Sequence, residues 1–184
     1  WDSLTPDQQR VAARLMETYA GFLAHADAQV GRLVDALAEE ELLDDTLFVY
    51  IVGDNGASAE GGLHGSWSYM GRIQGVETDA VAALLPRLDA IGSPASYPHF
   101  PAGWAWALDA PFQWTKQVAS HLGGTRNGMV VSWPRRIRDG GGLRSHFAHV
   151  NDIAPTLLEA AGIEPPAIVN GVAQQPLDGT SLVY

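Results

Sequence analysis

Apolar residues recur at three-, four- or seven-residue steps through Val11, Leu15, Tyr19, Leu23, Val30, Leu33 and Leu37. That spacing predicts one long helix over 5–41 with a single buried stripe. Thr5 is placed as its N-cap, Pro6 fits the first helical position, and Gln8 completes a Thr-x-x-Gln capping box. The pattern then changes. Leu47 to Val52 is a short apolar run rich in β-branched and aromatic residues, expected as a buried strand ending at Gly53-Asp54-Asn55-Gly56. Residues 56–76 are Gly- and Ser-rich and predict loop. A second helix is expected from Asp79 to about Ile91, with Thr78 as cap, Gly92 as stop and a bend or break at Pro86. The Pro- and aromatic-rich stretch 93–124 is expected as a long loop insertion, and such length without regular structure favours a functional role. Met129 to Trp133 predicts a second buried strand closed by Pro134, and Asp152 to Ala161 a last helix stopped by Gly162. Helix–strand alternation of this kind predicts an α/β sandwich with a mostly parallel central sheet.

Composition narrows the function classes. A chain of 184 residues with 46% apolar and 17% charged residues suits one globular domain. The net charge of −10, with no basic stretch longer than Arg135-Arg136, argues against a nucleic-acid partner. No apolar run reaches the roughly 18 residues needed to span a bilayer. The absence of cysteine removes disulfides, thiolate metal sites and a cysteine nucleophile. No signal peptide is visible. Trp1 runs straight into a helix and the chain closes on Leu182-Val183-Tyr184, so both ends are expected to continue into a longer protein.

Candidate chemistry begins at the end of the first strand, where open α/β sheets bind ligands. Asp54 and Asn55 offer a carboxylate and an amide oxygen side by side, hard donors suited to Ca2+ or Mg2+. Asp-Asn-Gly is equally ordinary turn chemistry. Lys116 lies in an aromatic setting before Gly123-Gly124, where an ammonium could stabilise an anion; a solvated surface lysine is the plainer alternative. His121 is near Lys116 in sequence and could contact substrate or make a structural hydrogen bond. His64 follows the Asp-Asn pair and either reaches the site or serves its loop. His146 and His149, before the last helix, resemble no ligand position, and His99 sits among prolines and is uninformative. Trp67, Trp104, Trp106 and Trp114 could wall an aromatic group or form a satellite core beneath the loops.

Several segments, taken in order, resemble the sulfatase family over nearly the whole chain. Val52-Gly-Asp-Asn-Gly-Ala-Ser58 is similar to the family's second metal-binding motif. Lys116 before Gly123-Gly124-Thr-Arg126 resembles the lysine that contacts the sulfate group. Val150-Asn-Asp-Ile-Ala-Pro-Thr-Leu-Leu-Glu-Ala-Ala-Gly162 resembles the helix after the core sheet, and Gly171 to Ser181 the close of the catalytic domain in bacterial arylsulfatases.

The resemblance implies the C-terminal part of one catalytic domain of the alkaline-phosphatase-like superfamily, its first strands missing. It implies sulfate-ester hydrolysis by a hydrated formylglycine, with Ca2+ better suited than Mg2+ and held in part by Asp54 and Asn55. Lys116 would stabilise the sulfate charge, and the substrate would be a small, aromatic sulfate ester. Ser132-Trp-Pro-Arg-Arg136 formally fits the formylglycine pattern Ser/Cys-x-Pro-x-Arg, but it follows the Asp-Asn motif, whereas the family's nucleophile precedes it. The isolated chain is therefore expected to be inactive. Family members occur in cytoplasm and periplasm, so no compartment follows. Two rivals remain: a phosphatase or phosphodiesterase of the same superfamily, where Asp-His replaces Asp-Asn, and an inactive binding relative.

Overall fold

The structure, a computed structural model, describes residues 1–77 and 80–183. Helix α1 spans Pro6–Glu39, and its capping box is fully formed: the Thr5 hydroxyl accepts from the Gln8 amide while Gln8 Oε1 accepts from the Thr5 amide. Strand β1 covers Phe48–Val52, α2 Tyr69–Ile73 and α3 Ala80–Leu84. The expected cap Thr78 and first helical residue Asp79 lie outside the described residues. A 3-10 turn over Leu85–Ala90 follows α3, non-helical at Arg87, so the break expected from Pro86 is present. Helix α4 is Ala102–Asp109, α5 Leu122–Thr125, strand β2 Gly128–Ser132 and α6 Ile153–Ala161. Strands β3 (Ile168–Val169) and β4 (Val172–Ala173) complete the order.

β1 and β2 form one two-stranded sheet, and β3 and β4 an antiparallel second. The chain is thus α/β in content, but the mostly parallel central sheet is not shown by the described residues. Nor are the first two strands buried as their apolar runs predict. Ile51 and Val52 are 39% and 49% exposed, and Val130 is 57% exposed. An apolar run is buried only where a further layer covers it, and among the described residues each of these strands has a single hydrogen-bonded neighbour.

The chain divides into two compact units. The first comprises Trp1–Leu42 and Tyr50–Val130, the second Leu43–Val49 and Val131–Tyr184. In the first, Val11 and Leu15 of α1 pack with Leu84, Ile91, Phe100 and Ala105. Arg14 ties α1 to this cluster by donating to the carbonyl oxygens of Leu88 (3.2 Å) and Ile91 (3.0 Å), and the Trp104 indole donates to the Ala12 carbonyl at 3.0 Å. Two expected loops contain more structure than their composition suggests. α4 and the start of α5 lie within 93–124, and α2 lies within 56–76. The chain also pairs locally at Ser66 with His99 and at Ser68 with Tyr97. α4 starts directly after Pro101, a start signal obscured by the flanking prolines and aromatics.

In the second unit, α6 ends at Gly162 in the left-handed region (φ 69°), as the sequence predicts. The Asp152 carboxylate accepts from the amides of His149 (2.8 Å) and Thr180 (2.9 Å), which holds it below the usual carboxylate range. β3 and β4 turn through Asn170-Gly171, both at positive φ, a two-residue hairpin whose Asn-Gly signal is legible in the sequence. Among the described residues no helix is long and apolar enough to cross a membrane.

Candidate functional site

The segment after β1 is pinned in space by backbone contacts. Gly53 adopts φ 76°, which turns the chain out of the strand. Gly56 is buried and its amide donates to the Gly124 carbonyl at 3.0 Å. Ala57 is held on both sides: its amide donates to Asp109 Oδ1 at 2.9 Å, and its carbonyl accepts from the Lys116 amide at 3.0 Å. The Asp54-Asn55 turn, the end of α4, Lys116 and the Gly123-Gly124 pair are therefore one local structure within the first unit.

Asp54 and Asn55 interact with each other, the Asn55 amide donating to Asp54 Oδ1. Asn127, with its amide oriented to satisfy both groups, donates to the Asn55 carbonyl at 3.0 Å and accepts from the Asn55 amide at 3.1 Å. This brace closes the turn from the start of β2. No local pattern in the sequence marks Asn127, since its partner lies far away along the chain. Among the described residues no group of three or more His, Cys, Asp or Glu side chains could hold a metal ion. Asp54 and Asn55 thus fit a hard cation as a partial donor set, because Ca2+ takes six to eight oxygens.

Lys116 is 32% exposed and its ammonium donates to Glu60 Oε2 at 2.9 Å. The same oxygen accepts from Ser58 Oγ (2.7 Å) and the Tyr69 hydroxyl (3.1 Å), while Gln117 Nε2 donates to Oε1 at 3.0 Å. The Lys116 hydrogen bond is the foremost cause that pulls the Glu60 carboxyl down to about 2, helped by Ser58 and opposed by burial. In return the Glu60 hydrogen bond raises the Lys116 ammonium above its ordinary value; burial opposes this, and the charges of Glu60, Tyr69 and Asp54 add to it. Trp114 and Gln117, on either side of Lys116, both hold positive φ (66° and 77°), uncommon outside glycine. Glu60 is the main residue that the sequence reasoning missed. Only the short Ser58-x-Glu60 spacing could have hinted at it.

The remaining candidates separate. His121 shares a hydrogen bond with Ser120 (2.9 Å) and lies 5.8 Å from the Trp114 ring. His64 faces Gln8 of α1 at 3.5 Å. His99 stacks on Tyr69 with ring centroids 5.5 Å apart, so it supports a residue of the Glu60 cluster. His149, in the second unit, caps the turn before α6 by accepting from the Asn151 amide. Trp67, under the Arg87 guanidinium at 4.0 Å, and Trp104 both pack on the core, whereas Trp106 and Trp114 are half exposed. Ser132 is the last residue of β2.

The sulfatase family model matches residues 2–163. An arylsulfatase from Klebsiella aerogenes is 32% identical over 99% of this chain and 37% of its own length. An uncharacterized sulfatase from Schizosaccharomyces pombe is 32% identical over 90% of this chain and 28% of its own length. The chain therefore spans well under half of each of these relatives. With the family pattern extending through the Asp54-Asn55 turn, Lys116 and α6 alike, the chain belongs to the sulfatase family.

Proposed function

We propose that this chain supplies part of the active site of an enzyme that hydrolyses sulfate esters, on an alkaline-phosphatase-like fold whose mostly parallel central sheet is completed by further sequence. The observation that carries this reading is the backbone linkage of the Asp54-Asn55 turn to Lys116 through Ala57 and to Gly124 through Gly56. It gathers a hard-oxygen pair and a cation into one structure, in a chain of sulfatase ancestry.

In this reading the Asp54 carboxylate and the Asn55 amide oxygen hold part of the shell of one Ca2+. The chemistry that such an ion would supply is Lewis-acid polarisation of the sulfate oxygens, beside a formylglycine nucleophile that the family pattern puts upstream of these residues. Lys116 neutralises the charge that gathers on the sulfate group as the ester bond breaks. Its raised affinity for the proton keeps it cationic at neutral pH. Trp106 and Trp114, both half exposed, offer aromatic surface to an aryl leaving group, and His121 beside Trp114 is a further substrate contact. The isolated chain, without the nucleophile, is inactive.

The test is parallel turnover of an aryl sulfate and an aryl phosphate diester by the whole protein, with and without a calcium chelator. Calcium-dependent sulfate cleavage, lowered about 10²-fold or more in kcat by Lys116→Ala, is the expected result. Faster phosphodiester cleavage would make the protein a phosphodiesterase of the same superfamily. Calcium binding without either activity would make it a binding relative.

A further inference from the structure

Four side chains from three stretches converge on the Glu60 carboxylate: Ser58, Tyr69, and the adjacent Lys116 and Gln117. Two of these fix it without help from Lys116. The Ser58 hydroxyl donates to Oε2 and accepts from the Glu60 amide at 3.2 Å, which locks the carboxylate over its own backbone. Tyr69 arrives from α2, its ring stacked on His99 and set edge-on to Tyr97 at 5.8 Å. Lys116 therefore meets an acceptor whose position is already set. Gln117 adds its amide from a left-handed backbone conformation, so the residue beside Lys116 is tied to the same carboxylate. An ammonium has three N–H donors. One is spent on Glu60, and the other two are left with a restricted direction in which to meet an anion.

We propose that Glu60 is a positioning residue for the sulfatase reaction: its carboxylate, set by Ser58 and Tyr69, aims the Lys116 ammonium at the sulfate group. The inference rests on the reading of Lys116 as the sulfate-contacting lysine. Free rotation about the four-carbon stem of Lys116 would otherwise spread the charge over many positions, and charge stabilisation works best where its donors are fixed in advance. The charged and titratable groups that face Lys116 are Glu60, Tyr69 and Asp54.

The experiment is steady-state kinetics of the whole protein on an aryl sulfate, comparing wild type, Glu60→Gln, Tyr69→Phe, Lys116→Ala and the Glu60→Gln/Lys116→Ala double variant. Glu60→Gln is expected to lower kcat by about tenfold to 10²-fold, the upper figure being what a misplacement of roughly 1 Å can cost. It should also move the alkaline limb of kcat/KM to lower pH, because Lys116 loses the anion that keeps it protonated. Tyr69→Phe should give a smaller loss of the same sign, and it carries the test if Glu60→Gln fails to fold. In the Lys116→Ala background, Glu60→Gln should cost nothing further. A folded Glu60→Gln enzyme with unchanged kcat and pH profile would overturn the proposal. So would a faster one, which would mean that Glu60 merely parks the lysine, or an equal loss in the Lys116→Ala background, which would mean that Glu60 serves the fold alone. A fully active Lys116→Ala enzyme would instead remove the underlying reading of Lys116.

Discussion

Gly56 and Gly123 approach so closely that a Cβ on Gly56 would fall 1.7 Å from the Gly123 carbonyl oxygen. Neither residue has positive φ, so both positions demand glycine for space and not for turn geometry. A Cβ on Gly123 would in turn meet the Trp114 carbonyl oxygen at 2.0 Å. These are backbone obstacles with no rotamer to yield. Gly56→Ala is expected to destabilise the protein by about 3 kcal/mol, at the upper end for overpacking, as read from urea denaturation midpoints. If the turn is the calcium site, calcium affinity should fall in the same variant.

The proposed role of Asp54 and Asn55 in holding Ca2+ gives a second expectation. In calorimetric titrations of the whole protein, Asp54→Ala should abolish tight Ca2+ binding. Asn127→Ala, which removes only the brace on the Asn55 backbone, should weaken binding about 10–100-fold, the usual size of an outer-shell effect. Asn55→His should shift preference from Ca2+ toward Zn2+, since imidazole suits the softer ion. Unaltered Ca2+ affinity in Asp54→Ala would put the metal elsewhere.

How much of this was legible in sequence depends on how local each determinant is. The Thr5–Gln8 capping box and the Gly162 stop are nearest-neighbour effects, and each is found where the sequence puts it, whereas the stripe expected to be buried as far as Leu37 is buried only at Val11 and Leu15, with Leu23 and Leu33 exposed. The strands are located within a residue or so, but their burial depends on layers that no apolar run specifies. α4 was hidden because Gly103 and three prolines within a dozen residues mask a helix whose tryptophans are spaced by two. Asp54, Asn55 and Lys116 were visible as residue types, but the Glu60 cluster was not. Its members lie in three places along the chain, at 58–60, 69 and 116–117, and meet only through the fold.

Acid should expose the Glu60–Lys116 pair. Folding lowers the Glu60 carboxyl from 4.5 to about 2, so the folded state favours the ionised form. The sign follows: this stabilisation is fully present above about pH 4.5 and is lost as pH falls toward 2. Wild type should exceed Glu60→Gln in stability at pH 6, and the gap should close between those limits. A gap that stayed constant down to pH 2.5 would show that the charge of Glu60 contributes nothing.

The N-terminal cap of α1 is an independent check away from the site. Thr5→Ala removes the hydroxyl that accepts from the Gln8 amide, and only the reciprocal bond from the residue-5 amide to Gln8 Oε1 remains. A loss of about 1 kcal/mol in unfolding free energy is expected, with Thr5→Ser close to wild type.

The anchorage of α1 ends well before the helix does. Val11, Ala12 and Leu15 are its buried residues, whereas Phe22 is 69% and Leu33 53% exposed. A helix held at one end has amides of unequal lifetime. Those near Leu15 can open only with the core, while those beyond Gly21 depend on the local helix–coil balance, which is marginal over so few turns. In deuterated solvent the first half of α1 should keep its protons through the time its distal turns take to lose theirs. Any further segment that covers the exposed face would appear as slowed exchange from Phe22 onward.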